Sequence, residues 1–177
     1  MRVLTLFGAL VVLVAGWSGP AAAEVAVTFV APERYTDASL YGGYDAGARE
    51  LALHEIREDL QLLGKRWLTP GQTLSIQVLD VDLAGRFEPW RRPGIYDVRI
   101  MRDVTPPRIR LSYTLEEPGR PVRHGEETVS DIDYLSRPLL RRTGVVMPYE
   151  MAMLDDWFRA RFGGNQGQLS GSAAFSR

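Results

Sequence analysis

The chain has 177 residues, with 21 Lys and Arg against 22 Asp and Glu and a formal net charge of −1. This balance argues against a dedicated nucleic-acid binder, which usually carries a basic excess. The chain has no cysteine, which excludes thiol nucleophiles, thiolate metal sites and disulfides.

The first 23 residues have the pattern of a secretory signal peptide. Arg2 is the only charge before Glu24, an apolar run extends from Val3 to Ala15, and three alanines end at Ala23. This combination is typical of a cleaved signal, and the apolar run is shorter than the roughly 20 residues that span a bilayer. We expect cleavage after Ala23 and a periplasmic mature chain with no stable membrane insertion.

One strand and one helix open the predicted domain. Val25–Val30 is rich in β-branched residues and predicts a strand. Asp45 is a candidate N-cap for the helix that follows. Apolar residues then recur every three or four positions and predict one buried helix face, namely Leu53, Ile56, Leu60, Leu63 and Trp67.

Four further strands are predicted. Residues 74–78 alternate between apolar and polar, and the apolar phase then shifts, which indicates a β-bulge near Val78-Leu79. Tyr96–Arg102 predicts a short strand, and the alternation from Ile109 to Leu115 is the clearest in the chain. A turn at residues 118–119 leads to Val122–Val129, whose polar composition suits an antiparallel edge strand.

A second helix is predicted to begin at Pro148, since proline is favoured at the first helical position. Its predicted apolar face consists of Met147, Met151, Leu154, Phe158 and Phe162. Residues 163–177 are rich in Gly, Ser, Asn and Gln and predict a disordered tail. We therefore expect one α+β domain over residues 24–162, with an antiparallel-dominated sheet of four to five strands and two helices packed on one face.

Six short motifs occur in an order that resembles a known family. They are Asp80–Gly85, Glu88-Pro89-Trp90, Asp97–Ile100, Pro106–Ile109, Tyr149-Glu150 and Asp155–Phe158. Together they are similar to a family of bacterial exported proteins known as domain-of-unknown-function family 3016. The resemblance implies export and a single domain, and it brings no established activity or catalytic residue.

Two Asp-x-Asp pairs are the first candidates for chemistry. Asp80 and Asp82 form one pair, and Asp131 and Asp133 form the other. Residues two apart in a strand share a face, so adjacent strands would bring four carboxylates together as a Ca²⁺ site or an acid–base pair. We favour a structural role, in which Asp80 and Asp82 accept backbone N–H bonds in the turn toward Gly85.

Histidine and aromatic residues provide weaker candidates. His54 and Glu58 lie one turn apart and only partly match a zinc-binding helix, so we expect both to be exposed, as we do His124. Trp90, Arg91 and Arg92, with Tyr35 and Tyr41 elsewhere, are suited to form an aromatic and basic recognition surface. The alternative, which we favour somewhat, is that Trp90 packs onto the sheet and the two arginines are solvated.

These observations favour a non-enzymatic accessory or binding module of the cell envelope that needs no cofactor. The candidate surface comprises Asp80, Asp82, Glu88, Trp90, Arg91 and Arg92. Its partner would be an unidentified envelope protein or ligand. The alternative is a carboxylate-based metal-binding protein or hydrolase centred on Asp80 and Asp82.

Overall fold

The computed structural model describes residues 22–42, 46–88, 98–137 and 145–165. Within these ranges, two helices and six strands occur in the order β1-α1-β2-β3-β4-β5-β6-α2. Their bounds are β1 Glu24–Phe29, α1 Ala46–Trp67, β2 Thr73–Asp82, β3 Arg86–Phe87, β4 Arg99–Ile100, β5 Arg108–Glu116, β6 Arg123–Ser130 and α2 Pro148–Phe162. Three short 3-10 turns lie at Pro32–Arg34, Tyr134–Ser136 and Gly163–Asn165.

Four strands form the main sheet in the order β1-β2-β5-β6. Strand β1 pairs parallel with β2, whereas β2–β5 and β5–β6 are antiparallel. Strands β3 and β4 form a separate antiparallel pair. Most buried apolar side chains of the main sheet and of both helices belong to one hydrophobic core. The predicted α+β class is confirmed, as is the position of β6 at an edge of the sheet.

The predicted β-bulge lies in β2. Val78 pairs with Leu111 and Asp80 pairs with Arg110, so the register shifts between the two pairs and leaves Leu79 as the extra residue. The shift places Val81 in the core with no exposed surface. Asp80 and Asp82 therefore face the side of the sheet opposite to Val81, where the polar contacts of the candidate site are made.

Helix α1 buries the predicted face, with Ile56, Leu60 and Leu63 almost fully buried. Gly64 allows this helix to lie close to β1, because a Cβ at residue 64 would be 2.0 Å from Cγ2 of Val25. The predicted N-cap, Asp45, lies outside the described residues.

Helix α2 begins at Pro148 as predicted, and Leu154, Phe158 and Phe162 are buried. Met151 is only partly buried. The buried surface is wider than the predicted stripe because α2 contacts both α1 and β6, and it also includes Glu150, Met153 and Trp157. Of the predicted tail, residues 163–165 form a 3-10 turn, and the rest lies outside the described residues, as do residues 1–21.

In the part of the chain that the structure describes, no helix is long and apolar enough to cross a membrane.

Candidate functional site

A buried polar centre lies where β2 ends, and it is organised around Arg99 on β4. The Arg99 side chain is only 9% exposed. Its Nη1 and Nη2 donate to the two carboxylate oxygens of Asp37, at 3.2 and 2.9 Å, and its Nε donates to the Ala84 carbonyl at 3.0 Å. The terminal nitrogens also donate to backbone carbonyls of Ser39, Leu83 and Gly85. Every N–H-bearing nitrogen of the guanidinium is therefore used within the chain.

A second arginine of the centre is Arg86 on β3. Its Nη2 lies 2.7 Å from Oδ1 of Asp82, and its Nη1 lies 3.5 Å from Oδ2 of Asp37. Asp82 Oδ1 is buried, and its close contact with Arg86 is an ion pair. Burial raises the pKa of the Asp82 carboxyl, and the charge of Arg86 opposes that rise. The two arginines and two aspartates balance each other in charge.

Glu150, in the first turn of α2, closes the centre from the helix layer. It is 4% exposed, and its Oε1 accepts a 2.8 Å hydrogen bond from the Ala84 backbone N–H. Burial raises the pKa of Glu150, while the Ala84 hydrogen bond and the charge of Arg99 lower it. Nearby on α1, burial and the adjacent charges of Glu55 and Glu150 raise the pKa of Asp59 to about 7.

This geometry makes the polar centre a structural clamp. Ala84 donates its N–H to Glu150 and receives the Nε–H of Arg99 at its carbonyl, which fixes the residues after β2. Gly85, at φ 74°, gives the chain a left-handed conformation that glycine adopts without strain. Arg99, Asp37 and Glu150 were not among the sequence candidates. Arg99 and Glu150 do lie in two of the motifs that carry the family resemblance, and this position is the sequence signal that could have identified them.

Asp80 and Asp82 are placed differently from the sequence prediction. Asp80 accepts hydrogen bonds from the backbone N–H and the hydroxyl of Thr36, at 2.7 and 2.8 Å. Asp82 pairs with Arg86. The prediction that these carboxylates accept N–H bonds in the turn toward Gly85 is therefore wrong, because Glu150 takes the Ala84 N–H and the loop after β1 approaches Asp80. Both aspartates keep structural roles with more distant partners.

The two Asp-x-Asp pairs do not lie on neighbouring strands. Asp80 and Asp82 are on β2, whereas Asp131 follows β6, and β5 lies between these strands. Asp131 accepts from the backbone N–H of Asp133 and pairs with Arg137. Within the described ranges, no group of three or more His, Cys, Asp or Glu side chains is arranged to hold a metal ion.

Glu88, a member of the predicted candidate surface, lies within the described residues. Both of its carboxylate oxygens accept 2.9 Å hydrogen bonds, from Nε and Nη2 of Arg102. Trp90, Arg91 and Arg92 belong to the segment between β3 and β4 and lie outside the described residues. They remain predicted recognition residues.

The histidine candidates occupy exposed positions. His54 and Glu58 are exposed on α1, and His124 is exposed on β6, as expected. His124 borders an open depression of about 320 Å³ on the sheet face away from the helices. This depression is lined mainly by polar side chains, including Ser75, Gln77, Ser112 and Thr114.

Five exposed apolar side chains lie on residues 98–104, which include β4 and precede β5, and on residues 132–135, which follow β6. We call them the apolar end surface: Val98, Met101, Val104, Ile132 and Leu135. Val104 and Ile132 are each 75% exposed. The two segments are joined by Tyr134, whose hydroxyl accepts from the Arg102 N–H at 2.9 Å and donates to the Arg102 carbonyl at 2.6 Å. A group of exposed apolar residues is typical of an interaction surface, whereas single ones are common on any protein.

The fold and these contacts define an α+β domain in which residues of three of the six motifs, Asp80–Gly85, Asp97–Ile100 and Tyr149-Glu150, meet in a buried polar centre. The chain matches the model of a family described as proteins of unknown function, DUF3016, over residues 23–160. It therefore belongs to that family, in agreement with the resemblance of its motifs. Comparisons with curated proteins and with solved structures found no match.

Proposed function

We propose that this protein is exported to the periplasm and acts there as a non-enzymatic binding module. Its partner would be another protein of the cell envelope, and the apolar end surface would form the contact. The proposed export is supported by the signal-like pattern of the first 23 residues.

The exposure of the apolar end surface is the observation that carries the proposal. Val104 and Ile132 each expose three quarters of their surface. Removing such side chains from water on binding would be favourable by roughly 25 cal/mol per Å² of apolar area. The nearby Tyr134–Arg102 hydrogen bonds join the two segments, so part of the surface is organised before a partner arrives. Such organisation reduces the entropy lost on binding.

The polar centre supports a binding role over carboxylate chemistry. A general acid or base must reach the proton that it transfers. Asp37, Asp82 and Glu150 are instead largely buried and contact Arg99, Arg86 and the Ala84 backbone. Asp80 is engaged by Thr36. Each of these carboxylates therefore has a structural partner within the chain.

Charged substitutions in the apolar end surface test the proposal. We expect Val104→Asp and Ile132→Asp to reduce co-purification of the envelope partner by about tenfold or more, equivalent to about 1.4 kcal/mol. Val122→Asp is the matched control, since Val122 is 56% exposed and lies at the other end of the β5–β6 pair. Each variant must retain the unfolding free energy of the wild type. Equal partner recovery with all three variants would contradict the proposal.

Intact-mass measurement of the periplasmic product tests export separately. We expect a chain that begins at Glu24. Recovery of the uncleaved chain in the membrane fraction would contradict the proposed export.

A further inference from the structure

The expected cleavage point lies directly against the folded domain. Strand β1 begins at Glu24, and its first residue pairs with Thr73 of β2. The backbone N–H of Glu24, which belongs to the peptide bond to be cut, donates a 3.0 Å hydrogen bond to the Gln72 carbonyl. Ala23, on the other side of that bond, packs against the hydrophobic core. No spacer separates the cleavage point from the sheet.

Gln72, whose carbonyl accepts the hydrogen bond from Glu24, is itself held in place. Gln72 is 4% exposed. Its side-chain oxygen accepts from the Thr69 backbone N–H at 2.9 Å, and its side-chain nitrogen donates to Glu117 at 3.2 Å. The beginning of β1 is therefore attached to a fixed turn between α1 and β2.

Helix α1 restricts the next residue of β1. The Cβ position of Gly64 lies 2.0 Å from Cγ2 of Val25, so helix and strand approach as closely as a glycine permits. Val25 also pairs with Leu74. Lifting the first residues of β1 out of the fold would break both the strand pairing and this packing.

Proteases cut segments that are exposed or that open locally, and cleavage then depends on how often the segment opens. Strand β1 lies at the edge of the sheet, so opening it requires breaking its pairing with β2 and its packing against α1. We propose that folding makes the Ala23–Glu24 bond inaccessible to signal peptidase, so that the signal segment must be removed before β1 pairs with β2. This inference rests on the export proposed above.

The reaction is a hydrolysis in which water adds across the Ala23–Glu24 peptide bond. The carbonyl side becomes a carboxylate on Ala23, and the nitrogen side becomes the α-amino group of Glu24. When β1 then pairs, that group can donate to the Gln72 carbonyl as a charged donor, and charge-assisted hydrogen bonds are stronger than neutral ones. Cleavage also removes the packing of Ala23 against the core.

The test compares full-length precursors treated with purified bacterial signal peptidase in mild detergent. The first is the folded wild type. The second carries Glu-Val-Gly-Ser-Gly-Ser between Ala23 and Glu24, which keeps the residues after the cut and moves the bond away from the sheet. The third is Gly64→Ala, which forces Val25 to move. The fourth is nascent wild-type chain, processed during translation. Tryptophan fluorescence reports which precursors are folded.

We expect the folded wild type to be cut at least about tenfold more slowly than the spacer variant and the nascent chain. We expect Gly64→Ala to be cut at an intermediate rate. Equal rates for the folded wild type and the spacer variant would overturn the inference while leaving the proposed export intact. Failure to cut even the nascent chain after Ala23 would overturn both.

Discussion

Replacement of Arg99 by methionine should destabilise the domain more than any exposed arginine substitution. The change removes a cation from a side chain that is 9% exposed and leaves Asp37, 17% exposed, without its bidentate partner. Removing one partner of a buried ion pair costs about 3–5 kcal/mol. That is a large part of the 5–15 kcal/mol typical of domain stability. Backbone carbonyls of residues 83–85 would lose donors as well.

Urea denaturation followed by tryptophan fluorescence measures this cost. Arg110→Met is the matched control, because Arg110 is 52% exposed and its pair with Glu126, at 3.3 Å, is also exposed. Such a pair contributes about 0–1 kcal/mol. Arg99→Lys should fall between the two, since lysine keeps the charge but loses the planar fork. If Arg99→Met lowered the free energy of unfolding no more than Arg110→Met does, the clamping role that we assign to Arg99 would be refuted.

Four further outcomes are expected. Asp59, with its pKa raised to about 7, favours the folded state when protonated, so this contribution is complete below the unfolded-state pKa and is lost as pH rises through 7. Unfolding free energy should fall by about 1–2 kcal/mol from pH 5 to pH 8, allowing for solvent screening, and Asp59→Asn should flatten this slope. Leu111→Ala removes a fully buried side chain and should cost about 2–5 kcal/mol in urea, so an unchanged midpoint would contradict its core position. Gly64→Ala should destabilise by about 1–3 kcal/mol through overpacking, and addition of Val25→Ala should recover part of that loss. Ca²⁺ should leave the Tm of the wild type and of Asp82→Asn unchanged; a rise confined to the wild type would indicate a carboxylate metal site.

The fold follows closely from local sequence patterns. The alternation of β5 and the three-four spacing of α1 place Leu111 and Ile56 in the core because burial on one face imposes those periods. The bulge in β2 could also be predicted, because a one-residue shift moves every later side chain to the other face and so changes the phase of the apolar residues. Pro148 marks the start of α2 for a similarly local reason.

The polar centre was not predictable in the same way. Arg99 contacts Asp37 and Ala84, which are distant in sequence and meet only when β4, the loop after β1 and the end of β2 come together. Glu150 is absent from the predicted apolar face of α2, yet it is buried because α2 covers the turn that contains Ala84. Spacing rules describe faces of single elements, and these contacts join four elements.

Site-specific photo-cross-linking in intact cells tests the proposed binding role most directly. A photoreactive residue at Val104 or Ile132 probes the apolar end surface, and one at Val122 or Leu62 probes exposed apolar positions elsewhere. We expect one discrete adduct with an envelope protein from positions 104 and 132 and none from 122 and 62. Adducts that form equally at all four positions, or only at the two control positions, would contradict a binding module that acts through this surface.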